Sequence, residues 1–91
     1  MNFIQRFLHK RKLDYAARAG YNNKSDKSND GLVNCQDASL ASFNELKRMG
    51  INSRFVFGKR KGIPHMYVQS GEWCLDNSKP YAIKQHEVGM D

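Results

Sequence analysis

A chain of 91 residues with 40% hydrophobic and 26% charged residues allows one domain with a modest core, and its composition lies outside the range of disordered chains. No apolar run approaches the ~20 residues needed to cross a bilayer, and the start, Met1 to Lys10, lacks the apolar centre of a signal peptide, so a cytoplasmic protein is expected. The net charge of +6 invites nucleic acid or another acidic partner, but no nucleic-acid reading motif accompanies it.

Residues Phe3 to about Ala19 predict a helix, since Ile4, Leu8, Tyr15 and Ala19 recur at helical spacing with Phe3 and Phe7 beside them. Arg11 and Lys12 interrupt that stripe, which predicts packing only at the helix ends, and Gly20 is the expected stop. A docking helix with a wet outer face is favoured over a basic amphipathic helix lying on a membrane or a partner. Residues 21–33 are mostly polar and aperiodic and read as a loop, placed to line a cleft. Asn34 is a good N-cap with Asp37 three residues on, predicting a helix from Cys35 to about Arg48 that stops at Gly50. Cys35, Ala38, Ser39, Ser42, Leu46 and Met49 share one side of it.

Ser53 to Gly58 predicts a strand, followed by a Gly-flanked basic loop carrying Lys59, Arg60 and Lys61. With Arg6, Lys10, Arg11, Lys12 and Arg18, this loop holds most of the positive charge. His65–Gln69 and Glu72–Asp76 read as a hairpin turning at Ser70–Gly71. A turn from Asp76 to Pro80, a short edge strand at Tyr81–Lys84 and a polar tail at 85–91 complete the chain. The order predicts a single α+β domain over 1–91: a helix in 1–20, a loop in 21–33, a core in 34–84 and the tail.

Two cysteines are too few for a secreted disulfide framework. Scattered His9, His65 and His86 give no zinc spacing, and neither metal nor cofactor is expected. Cys35 in the first turn of a capped helix meets unpaired N–H groups and the positive dipole end, which favour thiolate. In the expected hairpin register His65 faces Asp76, Tyr67 faces Cys74, Met66 faces Leu75 and Val68 faces Trp73. One face is then apolar, and the other offers an imidazole and a carboxylate within hydrogen-bonding reach. Cys35, His65 and Asp76 are thus the candidate parts of an activated thiol. The Cys35 N–H, with Asn29 or Asn34 as a second donor, is the candidate oxyanion hole. Tyr67 is a further residue expected near oxyanion or substrate.

The run Cys35-Gln36-Asp37-Ala38-Ser39-Leu40-Ala41, then Met49 to Gly58, His65-Met66-Tyr67-Val68 and Trp73-Cys74-Leu75-Asp76 resembles the transglutaminase-like superfamily of papain-type thiol enzymes, most closely the bacterial transglutaminase-like cysteine proteinases. The resemblance covers about half the chain. It implies a Cys-bearing helix packed on a small three- to four-stranded antiparallel sheet, with Cys35 as nucleophile, His65 as base and Asp76 as orienting acid. The implied activity is hydrolysis of peptide or glutamine-type amides. The alternative is a catalytically inactive relative that binds nucleic acid or a protein through Lys59, Arg60 and Lys61.

Overall fold

The structure, a computed structural model, describes residues 1–26 and 34–91. Two helices, α1 (Phe3–Tyr21) and α2 (Cys35–Arg48), pack on an antiparallel sheet of order β1-β2-β3-β4, formed by Arg54–Arg60, Ile63–Ser70, Trp73–Leu75 and Ile83–Lys84. A four-residue helix, α3 (Gln85–Val88), follows. The α+β architecture is the one expected.

One sheet face carries Val68 and Leu75, which join Leu13, Ala16, Ala17 and Leu46 from the helices in the main core. The other face carries Tyr67 and Cys74, which pack with Ile83 and Val88. Burying both faces explains how so short a chain assembles two small cores. Residues 85–91, expected as a polar tail, instead close the second one. Val88 is buried, and the Asp91 side chain accepts from the N–H groups of Lys61 and Gly62, both at 2.9 Å.

Gly20 does not end α1. The helix runs on to Tyr21 and is capped at Asn22. A Cβ on Gly20 would lie 2.3 Å from Ser42 Oγ and 2.8 Å from the Ala38 carbonyl oxygen, so the glycine is there to let α1 and α2 touch. Ser42 Oγ donates to the Ala16 carbonyl at 2.8 Å in the same contact. Gly20→Ala should therefore lose about 1–3 kcal/mol to overpacking, despite roughly 1 kcal/mol of better helix propensity. Urea unfolding reads the balance, and an unchanged or higher midpoint would contradict the close approach.

The packing of α1 also differs from expectation. Its buried stripe is Leu13, Ala16, Ala17 and Gly20, whereas Ile4, Leu8 and Tyr15 are exposed. The strand before the basic loop extends to Arg60, leaving a two-residue turn of Lys61 (φ 54°) and Gly62 (φ 76°), the left-handed pair that a tight hairpin favours.

Candidate active site

The second hairpin turns at Gly71–Glu72, not Ser70–Gly71, because Val68 pairs with Leu75, Gln69 with Cys74 and Ser70 with Trp73. Gly71 has φ 58°, and a tight turn with positive φ at its first position calls for glycine there. The register is shifted by two residues. A shift of two preserves the faces, where a shift of one would exchange them. Cys74 accordingly faces Gln69 instead of Tyr67, and His65 reaches Asp76 diagonally rather than head-on.

The imidazole and carboxylate do meet. His65 Nε2 hydrogen-bonds Asp76 Oδ1, with both side chains buried. Asp76 Oδ2 accepts from Arg60 Nη1 at 3.0 Å, from the Ser78 N–H at 3.1 Å and from the Ser78 hydroxyl. Burial alone would raise the Asp76 pKa. The hydrogen bonds from Ser78, His65 and Arg60 outweigh it and hold the group below its ordinary 3.8. An ionised carboxylate only accepts, so Nε2 donates to Asp76, an arrangement in which the neutral tautomer carries its lone pair on Nδ1. Among the described residues Nδ1 has no hydrogen-bond partner.

Two of these partners differ from the sequence reading. Arg60, expected in a solvent-facing patch, ties Asp76 Oδ2 to the Val88 carbonyl, which it reaches at 3.1 Å. Lys59 and Lys61 remain exposed. Ser78 was not anticipated, although Asp76-Asn77-Ser78 has the spacing of an aspartate accepting from the residue two positions on.

Cys35 opens α2 as expected. The first N–H groups of a helix lack intrahelical acceptors. The Asn34 N–H goes to Asp37 Oδ2 at 2.8 Å, and the Asn34 side chain accepts from Gln36 N–H at 3.0 Å and completes a capping box with Asp37. Of the N–H groups that open α2, that of Cys35 has no acceptor among the described residues. Asn34 is exposed, and its amide nitrogen makes no hydrogen bond among the described residues. The other suggested donor, Asn29, lies outside the described residues. Tyr67 is 1% exposed and packs with Cys74, Ile83 and Val88, which makes it a core residue instead of a substrate contact.

The helix runs in the same direction as β2. Ser39 Oγ donates to the Met66 carbonyl at 3.2 Å, and Phe43 stacks 4.6 Å from Phe55, the partner of Val68. One turn back from Ser39, about 6 Å along the axis, Cys35 comes level with Pro64 and His65. Beta-3 ends at Leu75, opposite Val68, so no strand flanks β2 on that side beyond it. Cys35 nevertheless belongs to a helix on the Val68 face, while His65 shares the Tyr67 face, and Cys35 makes no hydrogen bond to His65. The structure joins His65 to Asp76 and leaves the thiol at the same end of the sheet, unjoined. His65 also lines an open cleft of about 540 Å³ with Arg60, Pro64, Ser78 and Val88.

The two thiols have different surroundings. Cys35 is half-buried and Cys74 fully buried, and burial pushes the Cys74 thiol up, only partly offset by the Tyr67 hydroxyl beside it. Iodoacetamide should label one thiol in the native protein and the second only after denaturation. Equal labelling rates at both cysteines would contradict this packing.

Among the described residues no group of three or more His, Cys, Asp and Glu side chains is placed to hold a metal ion, and no helix is long and apolar enough to cross a membrane. No protein-family model, curated protein or solved structure matches the chain.

Proposed function

We propose that this protein is a thiol acyl-transfer enzyme of the transglutaminase-like kind, a cysteine peptidase, amidase or deamidase acting on peptide or glutamine-type amides. The observation that carries the reading is the buried His65–Asp76 pair, whose Nδ1 has no partner among the described residues. Asp76 fixes the tautomer, and the free nitrogen is then available to take a proton.

In this mechanism the Cys35 sulfur attacks the amide carbonyl carbon as its proton passes to His65 Nδ1. The oxyanion is held by the Cys35 N–H and the Asn34 amide. The His65 imidazolium then gives its proton to the departing amine or ammonia as the C–N bond breaks, leaving a thioester on Cys35. Water, activated by His65, hydrolyses that thioester. Hydrolysis is favoured over transfer to an amine because no second site for an amine is visible among the described residues. Catalytic hydrogen bonds can tighten around substrate, and the proposal requires Cys35 and His65, unjoined in the unliganded chain, to meet when substrate binds. No cofactor enters. A reducing cytoplasm, where both thiols stay free, is the setting that suits this chemistry.

The test is incubation with glutamine-containing peptides, reading ammonia release and peptide cleavage together. Turnover should vanish once Cys35 is alkylated. Turnover that survives complete alkylation of Cys35 would contradict the proposal. The binding-only alternative has less support, since Arg60 is committed to Asp76 and only Lys59 and Lys61 of the basic turn face solvent.

A further inference from the structure

Helix α1 is apolar on two opposite faces, and the fold uses only one. At 100° per residue, Leu13, Ala16, Ala17 and Gly20 form the buried stripe. Around the helix from the centre of that stripe, Phe3 lies about 90° away and Ile4, Phe7, Leu8 and Tyr15 roughly 130–170°. They are 83%, 66%, 56%, 49% and 53% exposed. This is a contiguous run of large side chains rather than the scattered exposed residues that need no explanation. Leu8 and Tyr15 border Arg48 and Met49 at the end of α2, and the run as a whole is open to solvent.

Charge identifies what can cover it. Five basic residues lie on α1, Arg6, Lys10, Arg11, Lys12 and Arg18, against the single acid Asp14. Asp14 is taken up by Lys10 at 2.7 Å. The remaining four basic side chains have no carboxylate partner among the described residues. Arg6 lies in the first two turns, on the side of the helix nearer the buried stripe, and the other three follow the apolar residues along the axis. Phe3, Ile4, Phe7 and Leu8 occupy the first two turns, while Arg11, Lys12, Tyr15 and Arg18 occupy the turns that follow. The Arg11 guanidinium lies over the Phe7 ring, 5.9 Å from its centroid, so its stem already runs along the apolar surface with its charge at the edge. An apolar end followed by a basic belt suits an interface whose interior is hydrocarbon and whose surface is anionic. A second copy of the chain would set like charges against each other with no acidic residue on this face to offset them.

We propose that the outward face of α1 docks on an anionic lipid surface, with Phe3, Ile4, Phe7 and Leu8 entering the acyl boundary and Arg11, Lys12 and Arg18 meeting lipid phosphates. The helix lies in the interface and does not span it. Apolar insertion and basic attraction are the two signals that stable but reversible membrane attachment requires. The proposal is independent of the thiol chemistry.

The experiment is sedimentation of the full chain with phosphatidylcholine vesicles, with and without phosphatidylglycerol, at low and high salt. The chain should sediment with the anionic vesicles at low salt, and far less with phosphatidylcholine alone. Combined Phe3→Ser and Phe7→Ser should weaken binding by about tenfold or more, and Arg11→Gln and Lys12→Gln by roughly fivefold each. All these variants should keep the wild-type unfolding midpoint, because the side chains changed are exposed. No sedimentation with anionic vesicles at low salt would overturn the proposal, as would binding indifferent to Phe3 and Phe7. Self-association lost in the same double variant would assign the face to a second copy. Tight, Phe-dependent retention of an RNA oligomer would assign it to nucleic acid.

Discussion

Replacing Cys35 by Ala should abolish amide turnover, by roughly 10⁶-fold in kcat if the group acts as the nucleophile of a cooperating set, while leaving the unfolding midpoint within about 0.5 kcal/mol of wild type. The two halves of this expectation have separate origins. The thiol would form the covalent intermediate, and without it the His65–Asp76 pair has no acyl acceptor to serve. The cap of α2, by contrast, is made by Asn34 and Asp37, and Ala at the first helical position disturbs neither. Steady-state release of ammonia or peptide fragments measures the first half, and urea titration the second. A variant that is folded and still active would remove Cys35 from the mechanism. One that is unfolded would show that the cysteine holds the helix start rather than the chemistry.

Asp76→Ala should be the most destabilising single change at the site, costing about 3–5 kcal/mol, the range found when one member of a buried ion pair is removed. The Asp76 side chain is fully buried and holds His65, Arg60 and Ser78 at once. Its loss strands a buried imidazole and frees Arg60, which also secures α3 through the Val88 carbonyl. Against a typical total of roughly 5–15 kcal/mol, urea midpoints should fall steeply.

The pH dependence follows from the direction of the shift. Asp76 has its pKa below the ordinary 3.8 when folded, so the folded state binds its proton less readily than the unfolded chain. Its contribution is complete above the unfolded value and is lost as pH falls through the lowered folded one. Wild type should lose stability on acidification below about pH 4, and Asp76→Asn should flatten that limb. A variant as stable as wild type, with the same acid limb, would contradict the role given to this carboxylate.

How much of this was legible beforehand depends on whether the deciding interactions are local. The cap of α2 was readable because Asn34 and Asp37 are three residues apart and their chemistry specifies the motif. The division of the hairpin into an apolar face and a site-bearing face was readable because alternation survives a register shift of two. The register itself was not. It turned on whether Ser70 or Gly71 opens the loop, which is a matter of backbone handedness that side-chain pairing did not reveal. The buried face of α1 was hidden for a different reason. Ala16, Ala17 and Gly20 are too small to stand out against Phe3, Ile4 and Phe7, yet close helix contact selects small residues. Arg60 bonding Asp76 and Asp91 capping the basic turn are contacts between distant segments, and no local pattern announces them.

The claim on which the rest depends is that His65 and Cys35 act on one proton. The rate of Cys35 alkylation at pH 7, compared between wild type, His65→Ala and Asp76→Asn, addresses it without any substrate. If an imidazole oriented by Asp76 shares the thiol's proton, both replacements should slow alkylation, by about tenfold for the loss of His65. Equal rates in all three proteins, each still folded, would mean that the thiol and the imidazole–carboxylate pair are neighbours without being partners.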